Sequence, residues 1–241
     1  SELVGLVPQE GLIDAAVWYT QLDQFEPAQI LESRLFEASR SSDAQAAAMP
    51  DFVAELASAN PTPGGGSAAA HTAAEAAALV GMVGRVTVGK KKYADVESQM
   101  WPMIEAADAL RARLVQAVDE DAASFKGFIA ATKLPKDTPE QVEARDKAME
   151  SATLESARVP YETVKMAYEA MELAIQAAEL GNLNAISDAA SAVNLASTAI
   201  DCAGLNILVN VKNLKDPAPA KEYLKGLKDY QHKAKKIEEK L

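Results

Sequence analysis

Cysteine and histidine are nearly absent: the 241 residues include one Cys and two His. A single Cys excludes an internal disulfide framework and any CxxC metal knuckle, and two His leave no basis for a histidine-built zinc site. Cys202 therefore reads as a reduced, packed thiol in a cytoplasmic protein. Aromatic residues make up only 5% of a chain that is 49% hydrophobic, so Ala, Leu and Val carry the apolar work. That composition suits close helix packing better than a β-sandwich. An excess of positive charge is also lacking. Lys and Arg number 24 against 35 Asp and Glu, a net charge of −11, which argues against nucleic acid as a partner. The longest apolar run, residues 68–88, carries His71, Glu75 and Arg85, costly groups at bilayer depth, so it reads as a buried helix and no membrane partner is expected. No basic-then-apolar leader opens the chain, and no strand-like alternation or fixed repeat appears. The expected fold is all-α: an Ala-rich bundle of about five long helices with a short N-terminal helical appendage.

The chain divides into a tail over residues 1–40, a linker of small residues over 41–50 and a helical domain over 51–241. The first 60 residues hold two Lys or Arg against ten Asp or Glu, so most of the acidity lies there. The tail predicts helices over 8–22 and 27–38, and a short helix is expected over 51–58. Long helices are expected over 67–88, 102–131, 139–180, 182–214 and 217–241. Gly81 and Gly84 would let a neighbour approach the first of these closely. Pro160 should kink or split the third, and Gly181 fits its C′ cap. The last carries seven Lys against four acids, a solvated cationic face.

Five features bear chemistry. Gly64, Gly65, Gly66 and Ser67 open a helix, so their amides suit a carbonyl, carboxylate or phosphate; a flexible turn with Ser67 as N-cap explains the same residues. No Gly-Lys-Ser/Thr follows, which excludes a P-loop. Asp121 stands where the apolar stripe Leu110, Leu114, Val118, Phe125, Phe128 predicts a hydrophobic residue. An inward carboxylate there is either a general acid/base with a raised pKa or a structural ion pair with an inward Lys or Arg. Asp119, two residues away, points to another face. Ser187, Ser191, Asn194, Thr198 and Asp201 recur every three or four residues; this polar stripe lines a cleft or faces water, and Asp188 and Ser187 sit in its first turn, where Asn184 or Ser187 would serve as cap. Lys90, Lys91 and Lys92 complement a helix C-terminus or anchor an anionic ligand. His71 and Glu75, at i and i+4, read better as a local hydrogen bond than as a catalytic pair, and His232 as a surface residue.

Together PTPGGGSAAA (61–70), VGKKKY (88–93), LVQAVDEDAASF (114–125), LPKDTPE (134–140), GNLNAISDAA (181–190) and NILVNVKNLKD (206–216) resemble the cyclodeaminase domain of the formiminotransferase-cyclodeaminase family, whose relatives include methenyltetrahydrofolate cyclohydrolases. Residues 1–16 resemble the end of the formiminotransferase domain that precedes it, so the chain reads as a C-terminal piece of a longer bifunctional enzyme. The resemblance implies a homodimer or higher homo-oligomer with folate near the subunit interface. It further implies that 5-formiminotetrahydrofolate is closed to 5,10-methenyltetrahydrofolate with release of ammonia, in histidine degradation. In that reading Asp121 is the acid/base, with Asp119 and Asp188 as alternates or orienting partners. Gly64, Gly65, Gly66 and Ser67 bind a carbonyl or carboxylate of the ligand, Lys90 and Lys91 hold the glutamate tail, and Asn182, Asn206 and Asn210 read pterin or linker amides, with Ser187 lining the site. No metal and no cofactor beyond the tetrahydrofolate substrate, polyglutamylated or not, is expected. The partners are folate and the transferase domain. The rivals are methenyltetrahydrofolate cyclohydrolase and a non-catalytic dimerisation or folate-binding module.

Overall fold

A computed structural model describes residues 9–21, 25, 52–212 and 214–239. By contacts the chain divides into two units, Ser1–Asp51 and Phe52–Leu241. In the first, α1 spans Gln9–Thr20; the helix expected over 27–38 and the linker over 41–50 lie outside the described residues.

The second unit holds α2 (Phe52–Leu56) and five long helices: α3 (Gly65–Thr87), α4 (Glu97–Thr132), α5 (Pro139–Leu180), α6 (Ile186–Val211) and α7 (Pro217–Glu238). No strand occurs among the described residues. Helices α3 to α6 pack on one another and α7 lies along α5 and α6. The alanines decide the spacing. Ala70, Ala73, Ala76, Ala167, Ala170, Ala174, Ala192 and Ala196 are fully buried, and a methyl group at each contact lets backbones approach closely. Met100, Leu114, Met171, Ile200 and Ile207 fill the gaps left between them. Loops are short, so sequential neighbours run antiparallel. Thr138 opens α5 with a reciprocal capping box to Gln141, and Pro139 follows in the first turn.

Three expectations about helix ends change. Helix α4 begins before Pro102 and carries that proline inside it. Helix α5 runs unbroken through Pro160, a buried residue; the packing around it offsets the one backbone bond that proline removes. Gly181 is extended, with φ −77° and ψ −179°, rather than left-handed. Its small size serves packing, because a Cβ there would meet Val83 Cγ1 at 2.8 Å. A 3-10 turn, Leu183–Ala185, follows before α6 begins.

Helix lengths are unequal, and this positions the site. At 1.5 Å per residue, the 23 residues of α3 span about 35 Å while the 36 and 42 residues of α4 and α5 span about 54 and 63 Å. The surplus turns of α4 and α5 form a two-helix arm beyond the start of α3, closed at its tip by Arg145 donating to the Thr132 carbonyl at 3.2 Å. Phe125 lies on that arm and is exposed. The apolar stripe of α4 is thus core only as far as Leu114, with Val118 half-buried, because no third helix covers the arm.

Candidate active site

Where α3 starts, α4 and the end of α6 converge on it. Gly64 is the N-cap in an extended conformation, with no side-chain cap. Ser67, considered above as the cap, instead lies inside the first turn and is fully buried. Its hydroxyl reaches Asp121 Oδ2 at 2.8 Å and the Val118 carbonyl at 3.3 Å, and its backbone N–H also donates to Asp121. A carboxylate of α4 therefore takes the capping position of α3 from outside, facing the positive end of the helix. Gly66 makes this possible. A Cβ on it would collide with Asp121 Oδ1 and come within 2.7 Å of its Cγ. The amides of Gly65 and Gly66 have no acceptor among the described residues.

Burial pushes the Asp121 carboxyl above its ordinary value, opposed by the two hydrogen bonds from Ser67. No cation pairs with it among the described residues, so the structural ion pair is not what the fold builds. Ser67 serves both protonation states. Facing a carboxylate its hydroxyl donates to Asp121; facing the acid it accepts from Asp121 and turns its own proton to the Val118 carbonyl. A group wired this way can take up and release a proton without leaving a buried polar atom unpaired.

Asn206 lies against Gly65, its Nδ2 3.4 Å from where a Cβ would stand, and donates to the Cys202 carbonyl at 2.9 Å. Asn210 donates to the Ser156 carbonyl at 2.6 Å, and the buried Ser156 hydroxyl has no hydrogen-bond partner among the described residues. Ser156 was not anticipated from sequence, since one Ser in a long mixed helix carries no pattern. One turn beyond Asp121, Ser124 donates to the Asp121 carbonyl at 2.8 Å. From there a groove of ≈690 Å³ follows the arm, lined among others by Ser124, Gly127, Ala131, Leu134 and Ser151. That volume suits a small organic ligand.

The remaining expected site residues lie elsewhere. The Asn182 backbone N–H donates to Thr87 Oγ1 at 2.9 Å, which places the start of α6 at the end of α3. Twenty residues of helix separate Thr87 from Ser67, about 30 Å. Lys90, Lys91, Asn182, Ser187 and Asp188 belong to this far end; Gly64 to Ser67, Asp119, Asp121, Asn206 and Asn210 belong to the near one. Asp188 is therefore no partner of Asp121 within one chain, and Asp119 is exposed on another face of α4. The group that orients Asp121 is Ser67.

Asn182, expected to read a ligand amide, is 5% exposed and engaged by the fold. Its Nδ2 donates to the Val86 carbonyl at 3.0 Å, while its Oδ1 accepts from the Asn184 amide and the Tyr93 hydroxyl. Tyr93 in turn accepts from the Leu183 amide at 3.0 Å, which lowers its pKa. Ser187, Ser191, Asn194, Thr198 and Asp201 all face outward. Cys202 is exposed beside them, not packed; helix periodicity places it on the outer face of α6, and composition does not report faces. His71 and Glu75 do form the expected local pair, at 3.4 Å, with Phe52 stacked on the imidazole. His232 is exposed as expected.

The family profile described as formiminotransferase-cyclodeaminase matches residues 48–229. The chain belongs to the formiminotransferase-cyclodeaminase family. Within this family, formimidoyltransferase-cyclodeaminase of Sus scrofa is 34% identical over an alignment of 185 residues that covers 66% of this chain and 34% of that protein. The chain thus spans about a third of the length of these longer relatives. Methenyltetrahydrofolate cyclohydrolase of Methylorubrum extorquens is 40% identical over 73% of this chain and 85% of that protein. The solved formiminotetrahydrofolate cyclodeaminase of Thermotoga maritima superposes with a TM-score of 0.71 at 27% identity, covering 80% of this chain and 92% of that one. The all-helical bundle read from the sequence is thus the fold of this family member too.

Proposed function

We propose that this formiminotransferase-cyclodeaminase family chain is an ammonia lyase that closes 5-formiminotetrahydrofolate to 5,10-methenyltetrahydrofolate. The observation that carries the reading is the desolvated Asp121 carboxyl held by Ser67 over Gly66. The folate N10 attacks the formimino carbon, giving a tetrahedral centre that bears the amino group and a protonated N10. Asp121 takes the N10 proton and hands it to that amino group. The C–N bond then breaks, ammonia leaves, and N5 and N10 share the resulting cationic methenyl carbon. Both reacting groups belong to one molecule, so much of the acceleration comes from holding them in a near-attack geometry. One carboxylate serves as base and then as acid, and burial moves its pKa toward the operating pH, where such a relay works best.

The free amides of Gly65 and Gly66 bind a carbonyl or carboxylate oxygen of the ligand, with Asn206 and Asn210 reading its amides. Lys90 and Lys91, exposed and without ion pairs among the described residues, hold the anionic glutamate tail. No step calls on a metal or further cofactor. The reaction belongs to cytoplasmic one-carbon metabolism in histidine degradation, with a transferase domain of the parent chain as the donor. Mixing the protein with 5-formiminotetrahydrofolate should produce methenyltetrahydrofolate absorbance and ammonia in equal amounts.

The cyclohydrolase reading has one specific support, the 40% identity to the stand-alone bacterial relative over most of both chains. There Asp121 would take a proton from the water that adds to the methenyl carbon. Faster loss of added methenyltetrahydrofolate, without turnover of the formimino compound, would favour that reaction.

A further inference from the structure

We infer that Phe52 and His71 are positioning residues for the glycine turn, their stacked rings fixing the path by which the chain enters Gly64–Ser67. The part those amides play in turnover rests on the folate reading above. Consecutive glycines bring almost no conformational preference to a turn, so the direction in which Gly65 and Gly66 present their amides is set by what holds the chain on either side. On the helix side the hold is Ser67, whose hydroxyl donates to Asp121 Oδ2 at 2.8 Å. On the entry side stands Phe52 at the start of α2, its ring centroid 4.3 Å from that of His71 with the two planes 18° apart.

Helix α2 has five residues, none of them buried, and a helix so short does not persist on its own backbone bonds. The bonds in and just after it are local: the Ala57 amide to the Val53 carbonyl, the Ser58 amide to the Glu55 carbonyl and the Asn60 amide to Ser58 Oγ. Of residues 52–61 all but Phe52 are exposed, so it is the Phe52 ring that this stretch lays on α3. His71 stands one turn beyond Ser67, about 6 Å along the helix. The chain therefore doubles back from Phe52 to reach Gly64, and the stack closes a loop that contains the turn. The return brings the Pro61 carbonyl to 3.7 Å from where a Cβ on Gly64 would stand. Glu75, 3.4 Å from His71 Nε2, holds the imidazole from the next turn of α3, so the local pair orients a ring. The His71 and Glu75 side chains are 41% and 53% exposed, and the stack adds little to the core. Losing it frees the loop and leaves the bundle folded.

Phe52→Ala should raise KM for 5-formiminotetrahydrofolate, or for methenyltetrahydrofolate if that is the compound turned over, by about three- to tenfold, the worth of an aromatic pair read as an equilibrium constant. Both kcat and the acid limb of kcat/KM should stay, because Ser67 still holds Asp121. His71→Ala should act in the same way. His71→Phe, which keeps a ring for Phe52 to stack on, should bring KM back to within about twofold of the wild type. In chains whose helical circular dichroism matches the wild type, a KM that does not move in Phe52→Ala, a loss carried by kcat instead, or a His71→Phe chain no better than His71→Ala overturns the inference. Amide hydrogen exchange supplies an arm that needs no substrate. The Ala57, Ser58 and Ala68 amides, each bonded inside the loop, should exchange faster in Phe52→Ala by a similar factor and at the wild-type rate in His71→Phe, while the amides of α5 are unaffected. Unchanged exchange at those three amides also overturns the inference. Faster exchange in a chain whose wild type turns over neither folate compound sinks the folate reading and leaves the hold on the turn standing.

Discussion

The two ends of α3 are assembled alike, a helix terminus with an asparagine from α6 or the turn that leads into it laid against it, and they do opposite things with their polar groups. At the far end the Asn182 amide, Thr87, Tyr93 and Val86 use one another's donors and acceptors, and the result is a joint. At the near end the amides of Gly65 and Gly66 have no acceptor among the described residues and lie beside the Asp121 carboxyl, whose pKa burial raises. Buried polar groups left unpaired are costly to a fold. The Asp121 carboxyl, drawn out of water with no cation beside it among the described residues, carries such a cost at the near end and marks it as the place where chemistry, rather than stability, has set the residues.

Asp121→Asn should break that contrast most strongly, lowering turnover by about 10²- to 10⁴-fold, the usual worth of a positioned proton-transfer group, in the coupled absorbance and ammonia assay. The same change should stabilise the fold. Burial raises the Asp121 pKa, so the folded state loses its proton less readily than the unfolded chain, and ionisation costs folded stability. The advantage of the Asn variant should be absent below the ordinary carboxylate range and grow as pH rises through the raised pKa. Melting curves across pH would show this, and an advantage that is flat or grows toward acid would contradict it.

Gly66→Ala should displace the carboxyl at a cost of about 1–3 kcal/mol in stability and remove most activity, whereas Asn182→Ala at the joint should cost about 1–3 kcal/mol with kcat changed in proportion to the folded fraction only. If Asn182→Ala lowers kcat of the fully folded protein more than Gly66→Ala does, the division between the two ends is wrong. The smallest effect belongs to Ser67→Ala. It removes a hydrogen bond that favours the ionised form, so the acid limb of kcat/KM, which burial of Asp121 has already raised, should move to still higher pH. A shift toward acid would mean that Ser67 does not orient Asp121.

Much of this molecule was legible from spacing alone. An Ala-rich, aromatic-poor composition with proline and glycine at the breaks outlined five long helices, and a carboxylate in the apolar stripe of α4 singled out Asp121. Less was legible about which groups meet. Asn182, just before α6, and Asn206, in its last two turns, stand alike in the sequence as small amides, yet one is consumed by the fold and the other borders the glycine turn. Cys202 and Phe125 were placed inside on composition and period, but no helix covers their faces.

The sequence by itself determined the helices, their order, the family and the anomalous carboxylate, because periodicity and local chemistry are written within a few residues. Only the tertiary structure decided that Ser67 and Gly66 receive that carboxylate, that Asn182 is structural, and that the lysines lie a helix length away. The first two facts depend on which faces meet across separations of 50 residues or more, the third on which end of α3 the Asp121 carboxyl reaches, and the period of one helix carries no record of what packs against it.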